Sequence, residues 1–192
     1  MRRAPVWLSL LLLAACASAP RIPVSPTTGW DERVAVLQSA HVWQLDGRAA
    51  VAVGTQGWQA TLNWHEQGEN AEVHLSGPLG IGAMVLKRSA QGISLNGAPP
   101  SPDVAAQLEA RLGFDLPLDH LRFWLLGAPD PGSPFELSRN EQDRAAHLSQ
   151  DGWDIDYPRY LPDDGDLLPA LLVLHRQDVR VRVAVDHWSL EP

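Results

Sequence analysis

The feature that most restricts the fold of this 192-residue chain is a side-chain period of two that begins at Trp43 and returns in most segments up to Trp188. Trp43, Leu45, Ala49, Val51 and Val53 alternate with Gln44, Asp46, Arg48 and Ala50. After Gly54–Gly57, Trp58, Ala60, Leu62 and Trp64 alternate with Gln59, Thr61 and Asn63. Successive side chains of a strand point to opposite faces, so this pattern describes strands with one buried and one solvated face. Gln67–Asn70 is a turn, and Val73 and Leu75 alternate with Glu72, His74 and Ser76 in a third strand. Strands joined by such short links pair antiparallel.

The remaining segments extend this pattern. Strands are expected at Ala83–Arg88, Gly92–Asn96, Phe135–Leu137, Ala145–Gln150 and, after the hairpin dipeptide Asp151-Gly152, at Trp153–Tyr157. Leu171–Arg176 and Val179–Trp188 close the chain, with Val179, Val181, Val183 and Val185 on one face and Arg180, Arg182 and Asp186 on the other. Three helices interrupt the strands. Trp30–Ser39 places Trp30, Val34 and Leu37 at helical spacing, with Asp31 and Glu32 in the first turn. Ser101-Pro102-Asp103 is an N-cap followed by proline, and Val104, Leu108 and Leu112 form one stripe before Gly113. Leu118–Leu126 is apolar over more than one face and is stopped by Gly127. Pro129, Pro131 and Pro134 mark a loop, Asp163–Asp166 is an exposed acidic loop, and no internal repeat or second domain is visible.

The N-terminus has a different logic. Met1-Arg2-Arg3 precedes an apolar run that closes on Leu13-Ala14-Ala15-Cys16, a positive region, an apolar region and small residues in the order of a secretory signal peptide. A run of about ten residues is too short to span a bilayer, which takes about 20. The last four residues resemble the lipobox of bacterial lipoproteins. That resemblance implies a diacylglycerol on the Cys16 sulfur, removal of residues 1–15 and an N-acyl chain on the new terminus, with no other cofactor. Ala17, where an aspartate would retain such a protein in the inner membrane, implies an outer-membrane destination. Cys16 is the only cysteine, so no intramolecular disulfide exists. Residues 16–29, with Pro20, Pro23 and Pro26 among Ser and Thr, read as a tether able to reach roughly 40 Å. Residues 30–192 are then the folded domain.

Composition excludes some functions. The net charge is −8, and losing Arg2 and Arg3 with the leader takes the mature chain to −10, which argues against nucleic acid and permits a basic partner. Seven histidines are scattered without HExxH or paired-His spacing, no G-x-S-x-G occurs, and a solvated face explains Asp154 and Asp156 as well as a catalytic pair does. Eight tryptophans against one lysine is an unusual balance; about half of them are expected in the core and the rest at binding surfaces. Gly77-Pro78-Leu79-Gly80-Ile81-Gly82 is a turn with apolar residues at its tip. From the residues alone, Leu79 either folds back into the core or protrudes.

Trp43-x-Leu45-x-Gly47-Arg48, Trp58-x-Ala60-x-Leu62-x-Trp64, Gly77-Pro78-Leu79-Gly80, Leu116-Pro117-Leu118, Trp124-Leu125-x-Gly127-x-Pro129, Gly152-Trp153-x-Ile155-x-Tyr157 and Asp186-x-Trp188 together resemble the LolB family. The resemblance implies a mainly β (α+β) fold, an incomplete antiparallel β-barrel with helices covering its mouth and an apolar cavity inside. It implies a lipid-anchored receptor on the periplasmic face of the outer membrane, not an enzyme, that accepts lipoproteins from a LolA-like carrier and places their acyl chains in the outer membrane. It also implies that Pro78, Leu79, Gly80 and Ile81 form a protruding membrane-insertion loop. Inward positions expected to line an acyl-chain cavity are Trp43, Leu45, Val51, Trp58, Leu62, Trp64, Leu108, Leu112, Leu121, Trp124 and Leu125. A monomer is expected. The alternative is an outer-membrane lipoprotein that binds another hydrophobe or serves in an assembly machine.

Overall fold

The computed structural model describes residues 29–162 and 168–191. Cys16, the leader, the tether up to Thr28 and the acidic Asp163–Asp166 segment lie outside the described residues. The chain runs α1 (Trp30–Ser39), β1 (Val42–Val53), β2 (Gln56–Gln67), β3 (Asn70–Ser76), β4 (Met84–Ser89), β5 (Gly92–Leu95), α2 (Pro102–Leu112), α3 (Leu118–Trp124), β6 (Phe135–Arg139), β7 (Ala145–Gln150), β8 (Trp153–Tyr160), β9 (Pro169–Arg176) and β10 (Val179–Glu191). The strands form one sheet in the order β5-β4-β3-β2-β1-β10-β9-β8-β7-β6. Each pairing is antiparallel, and each joins sequence neighbours except β1 with β10.

Laid flat, ten strands about 4.8 Å apart would spread over roughly 45 Å. Yet Leu86 on β4, Leu45 on β1, Leu148 on β7 and Leu172 on β9 belong to one apolar core together with Leu108 of α2 and Trp124 of α3. The sheet is therefore curled around its inner face. It is not closed, because the edge strands β5 and β6 do not pair; α2 and α3 occupy the sequence between them. The fold class expected from the sequence is the one observed.

Local chemistry explains the helices. Ser101 Oγ accepts from the Val104 amide at 3.3 Å, Pro102 opens α2, and Gly113 ends it with a left-handed φ of 84°. The Val104, Leu108 and Leu112 stripe is buried as expected. The helix α3 ends two residues earlier than its apolar run suggests, because Leu126 and Gly127 tighten into three-residue turns on the Phe123 and Trp124 carbonyls. The helix α1 buries Leu37 in the core and is tied at its first turn to the β6–β7 turn. The Trp30 amide donates to Asp143 Oδ2 at 3.0 Å, and Arg33 Nη1 donates to the Asp143 carbonyl at 2.6 Å.

The long β1–β10 ladder contains one irregularity, between Asp46 and Gly47. A Cβ at Gly47 would lie 2.4 Å from the Ala184 carbonyl oxygen, so only glycine fits this close approach. We expect Gly47→Ala to lower stability by about 2 kcal/mol, read as a reduced urea midpoint with an unchanged slope.

Candidate functional site

The inner face holds two aromatic groups. Trp43 stacks on Trp64 with centroids 5.7 Å apart and meets the edge of Trp188 at 5.5 Å. Across the barrel, Trp153 lies 6.3 Å from Trp124 and 5.9 Å from Phe114, while His120 stacks on Trp124 at 5.4 Å. Five of the seven described tryptophans are buried; Trp30 and Trp58 are half-buried. Of the eleven expected cavity positions, all are buried except Trp58, which is partly buried and packs against the others, so they belong to one apolar body. The indole N–H groups of Trp64, Trp124 and Trp188 donate to Glu66, Gln150 and the Pro169 carbonyl. Those of Trp43, Trp58 and Trp153 are buried without a partner among the described residues.

Two polar hubs inside this body escape the sequence reading. Glu66 follows Trp64 at the next inward slot of β2 and is buried. It accepts from Trp64 Nε1 at 2.9 Å, is ion-paired with Arg88 of β4, and lies 3.4 Å from Arg122 Nε of α3. Arg88 also reaches Asp119 of α3 at 3.0 Å. The helix is thus tied to two strands by charge as well as by Leu118, Leu121 and Trp124. Gln150, also buried, accepts from Trp124 Nε1 at 2.8 Å and the Asp130 amide at 2.9 Å, and donates to the Asp130 carbonyl at 2.8 Å. The Tyr157 hydroxyl completes this end by donating to the Trp124 carbonyl at 3.0 Å. Burial pushes its phenol well above the ordinary range, with the Tyr160 phenol adding to the shift, so it remains a donor.

Outside the core, the β3–β4 connection differs from the other described turns in what it exposes. Pro78–Gly80 form a single 3₁₀ turn closed by Gly80 N–H to the Gly77 carbonyl at 2.9 Å and Gly77 N–H to the Ile81 carbonyl at 3.1 Å. Leu79 at its tip is 100% exposed and Ile81 74% exposed. Leu79 also adopts φ 57°, ψ 23°, a left-handed conformation that costs a branched residue about 1–2 kcal/mol. On the mouth side, a hollow of about 650 Å³ runs from Ile81 and Pro78 past Trp58, Leu75 and Met84 to Arg111 of α2. Since Leu75 is an inward position of β3, that hollow leads from the loop toward the inner face.

No group of three His, Cys, Asp or Glu side chains is placed to hold a metal among the described residues. Asp156 of β8 pairs with His147 of β7 at 2.9 Å on the outer face, and His120 pairs with Asp130 at 2.7 Å. Among the described residues no helix is long and apolar enough to cross a membrane.

A family model described as "Outer membrane lipoprotein LolB" matches residues 41–188. The chain is 34% identical to the outer-membrane lipoprotein LolB of Nitrosococcus oceani over 192 residues, covering 96% of each chain. It is 34% identical to that of Pseudomonas aeruginosa over 189 residues, covering 94% of this chain and 92% of the relative. Among solved structures, the LolA superfamily protein NE2245 from Nitrosomonas europaea superposes with a TM-score of 0.53 at 8% identity, over 86% of this chain and 95% of that one, a likeness of fold.

Two stability predictions follow from this geometry. Arg88→Met leaves the buried Glu66 carboxylate short of its main partner and should cost about 3–5 kcal/mol, whereas the double variant Glu66→Leu/Arg88→Met should recover most of that loss in urea unfolding. Leu79→Asn, by contrast, removes no buried contact and suits a left-handed backbone. Its Tm should equal or exceed that of wild type by up to about 2–4 °C.

Proposed function

The chain belongs to the LolB family of outer-membrane lipoproteins and acts in lipoprotein localisation at the outer membrane, and from that premise we propose that it takes lipoproteins from a LolA-like periplasmic carrier and sets their acyl chains into the membrane. The observation that carries this reading is the Leu79 tip: fully exposed, held in a strained conformation, and set in a loop whose Pro78 and Ile81 line an apolar hollow leading toward the inner face of the barrel. A protein that only stored a hydrophobe would have no use for such a tip.

Cys16 carries the anchor in this reading. One acyl chain holds a protein marginally, and three exceed what stable attachment takes. Residues 16–29 then let the domain swing within roughly 40 Å of its attachment point.

Magnitudes dictate how cargo moves. Three acyl chains of about sixteen carbons represent roughly 40 kcal/mol at about 0.8 kcal/mol per buried CH₂. Noncovalent affinity saturates near about 20 kcal/mol, so the chains cannot pass through bulk water and must slide between apposed apolar interiors. The packed inner face is then the unloaded state. Loading requires α2 and α3 to part from the strands, and the Glu66–Arg88–Arg122 contacts define how α3 is held until it does. The transfer is passive, each step running toward higher affinity, with no cofactor and no catalytic residue.

Inserting one leucine side chain into lipid contributes about 1.5–3 kcal/mol, too little to anchor but enough to bias where cargo is released. The acidic domain suits a carrier with a basic rim, which raises the encounter rate more than the affinity. The domain acts as a monomer.

The test loads a purified LolA-type carrier with a lipoprotein and mixes it with the mature chain carrying Cys16→Ala. Wild type should accept cargo without ATP and deliver it to liposomes; Leu79→Glu should accept it and deliver at least tenfold less. If wild type accepts nothing, a scaffolding or storage lipoprotein becomes the better account.

A further inference from the structure

A second hollow, of about 820 Å³, lies on the other side of the Leu79 loop, against the outer face of the barrel. Pro78, Leu79 and Gly80 form one of its walls, and Arg48, Arg159 and Arg182 line it. These arginines come from three strands. Arg48 of β1 is opposite Ala184 of β10, and Arg182 of β10 is opposite Ala50 of β1, so two alanines leave the floor open between the guanidinium groups. Arg159 of β8 is opposite Leu171 of β9, which is itself opposite Ala184.

Three cations with no carboxylate among the described lining residues stand out in a chain of net charge −8. Arg48 is engaged by Asp186 at 2.8 Å. Arg159 and Arg182 are exposed and make no ion pair or side-chain hydrogen bond among the described residues. Arginine is the side chain suited to forked recognition of phosphate. The lone lysine, Lys87, is elsewhere and paired with Glu72 at 2.9 Å.

We propose that this hollow is a binding site for the phosphate headgroups of the membrane that receives the Leu79 tip. The inference rests on the membrane-insertion reading above and deepens it. A leucine placed about 5–10 Å into the headgroup–acyl boundary leaves the residues directly behind the tip at headgroup depth, and those residues are Arg48, Arg159 and Arg182. The patch also answers a problem that the overall charge creates. An acidic domain is repelled by anionic lipid, and a local cationic face turns the loop, rather than any other surface, toward the bilayer. Each arginine near an anionic surface is worth about fivefold in partitioning at moderate salt.

The experiment uses the mature chain with Cys16→Ala and vesicles of phosphatidylethanolamine with phosphatidylglycerol, read by co-flotation. Arg159→Gln/Arg182→Gln should reduce binding roughly twentyfold, while Lys87→Gln/Arg139→Gln, the same change of charge elsewhere on the surface, should reduce it by less than threefold. Circular dichroism confirms that both fold. Equal losses from the two double variants, or no loss from the first, would overturn the proposal. Inorganic phosphate at matched ionic strength should compete no better than chloride; if it displaces wild type, the hollow is a small-anion site instead. If the first double variant slows acceptance from the carrier and leaves vesicle binding intact, the patch docks a protein and the proposal fails. Leu79→Glu separates the two levels. Loss of vesicle binding in Leu79→Glu but not in the arginine variant sinks only the headgroup site, whereas unchanged binding in Leu79→Glu sinks the insertion reading itself.

Discussion

Everything in this molecule depends on the ladder between β1 and β10. It is the one pairing in the sheet that does not join sequence neighbours, and it runs the whole length of β1. Without it the chain would be two independent meanders, β1 to β5 and β6 to β10, each with a single apolar face and nothing to cover it. Joining the first strand to the last puts β5 and β6 at opposite edges and leaves the stretch between them, α2 and α3, to close the opening. The barrel is therefore incomplete because of its connectivity. Such long-range pairing is slow to form, since loop-closure entropy must be met before the contacts contribute, and Gly47 shows how closely the two strands approach once it has formed.

The strand pattern was almost wholly legible in the sequence, and the reason is physical. A half-buried strand must alternate, so burial writes itself into the residue order at Trp43–Val53 and Trp58–Trp64. Helix ends were legible at Ser101 and Gly113, where capping chemistry is local. What escaped was long-range. Glu66 and Arg88 read as ordinary polar residues, although each occupies an inward slot, because their partnership with Asp119 and Arg122 spans a separation that no local pattern encodes. Arg48, Arg159 and Arg182 converge for the same reason. Composition gave a partial answer for the tryptophans, which are more often buried than expected.

The direction of Leu79 was ambiguous in the residues alone, since glycines and a proline permit the turn to fold either way. The structure places it outward, and the polarity of its surroundings is divided. One flank of the loop is apolar and leads to the inner face; the other is cationic and faces away. The turn thus sits on a boundary between two chemical environments, which is also how a lipid molecule is built.

The left-handed leucine has a consequence for anyone who redesigns this protein. Procedures that optimise folding free energy would replace Leu79 early, because asparagine or glycine at that backbone angle is less strained and no core contact is lost. Such a variant would melt later, and a loss of membrane insertion, if the tip serves it as proposed, would be invisible to every assay of folding. On the proposed reading, position 79 is a case in which the residue that a stability screen discards first is one that only an assay with lipid present can defend.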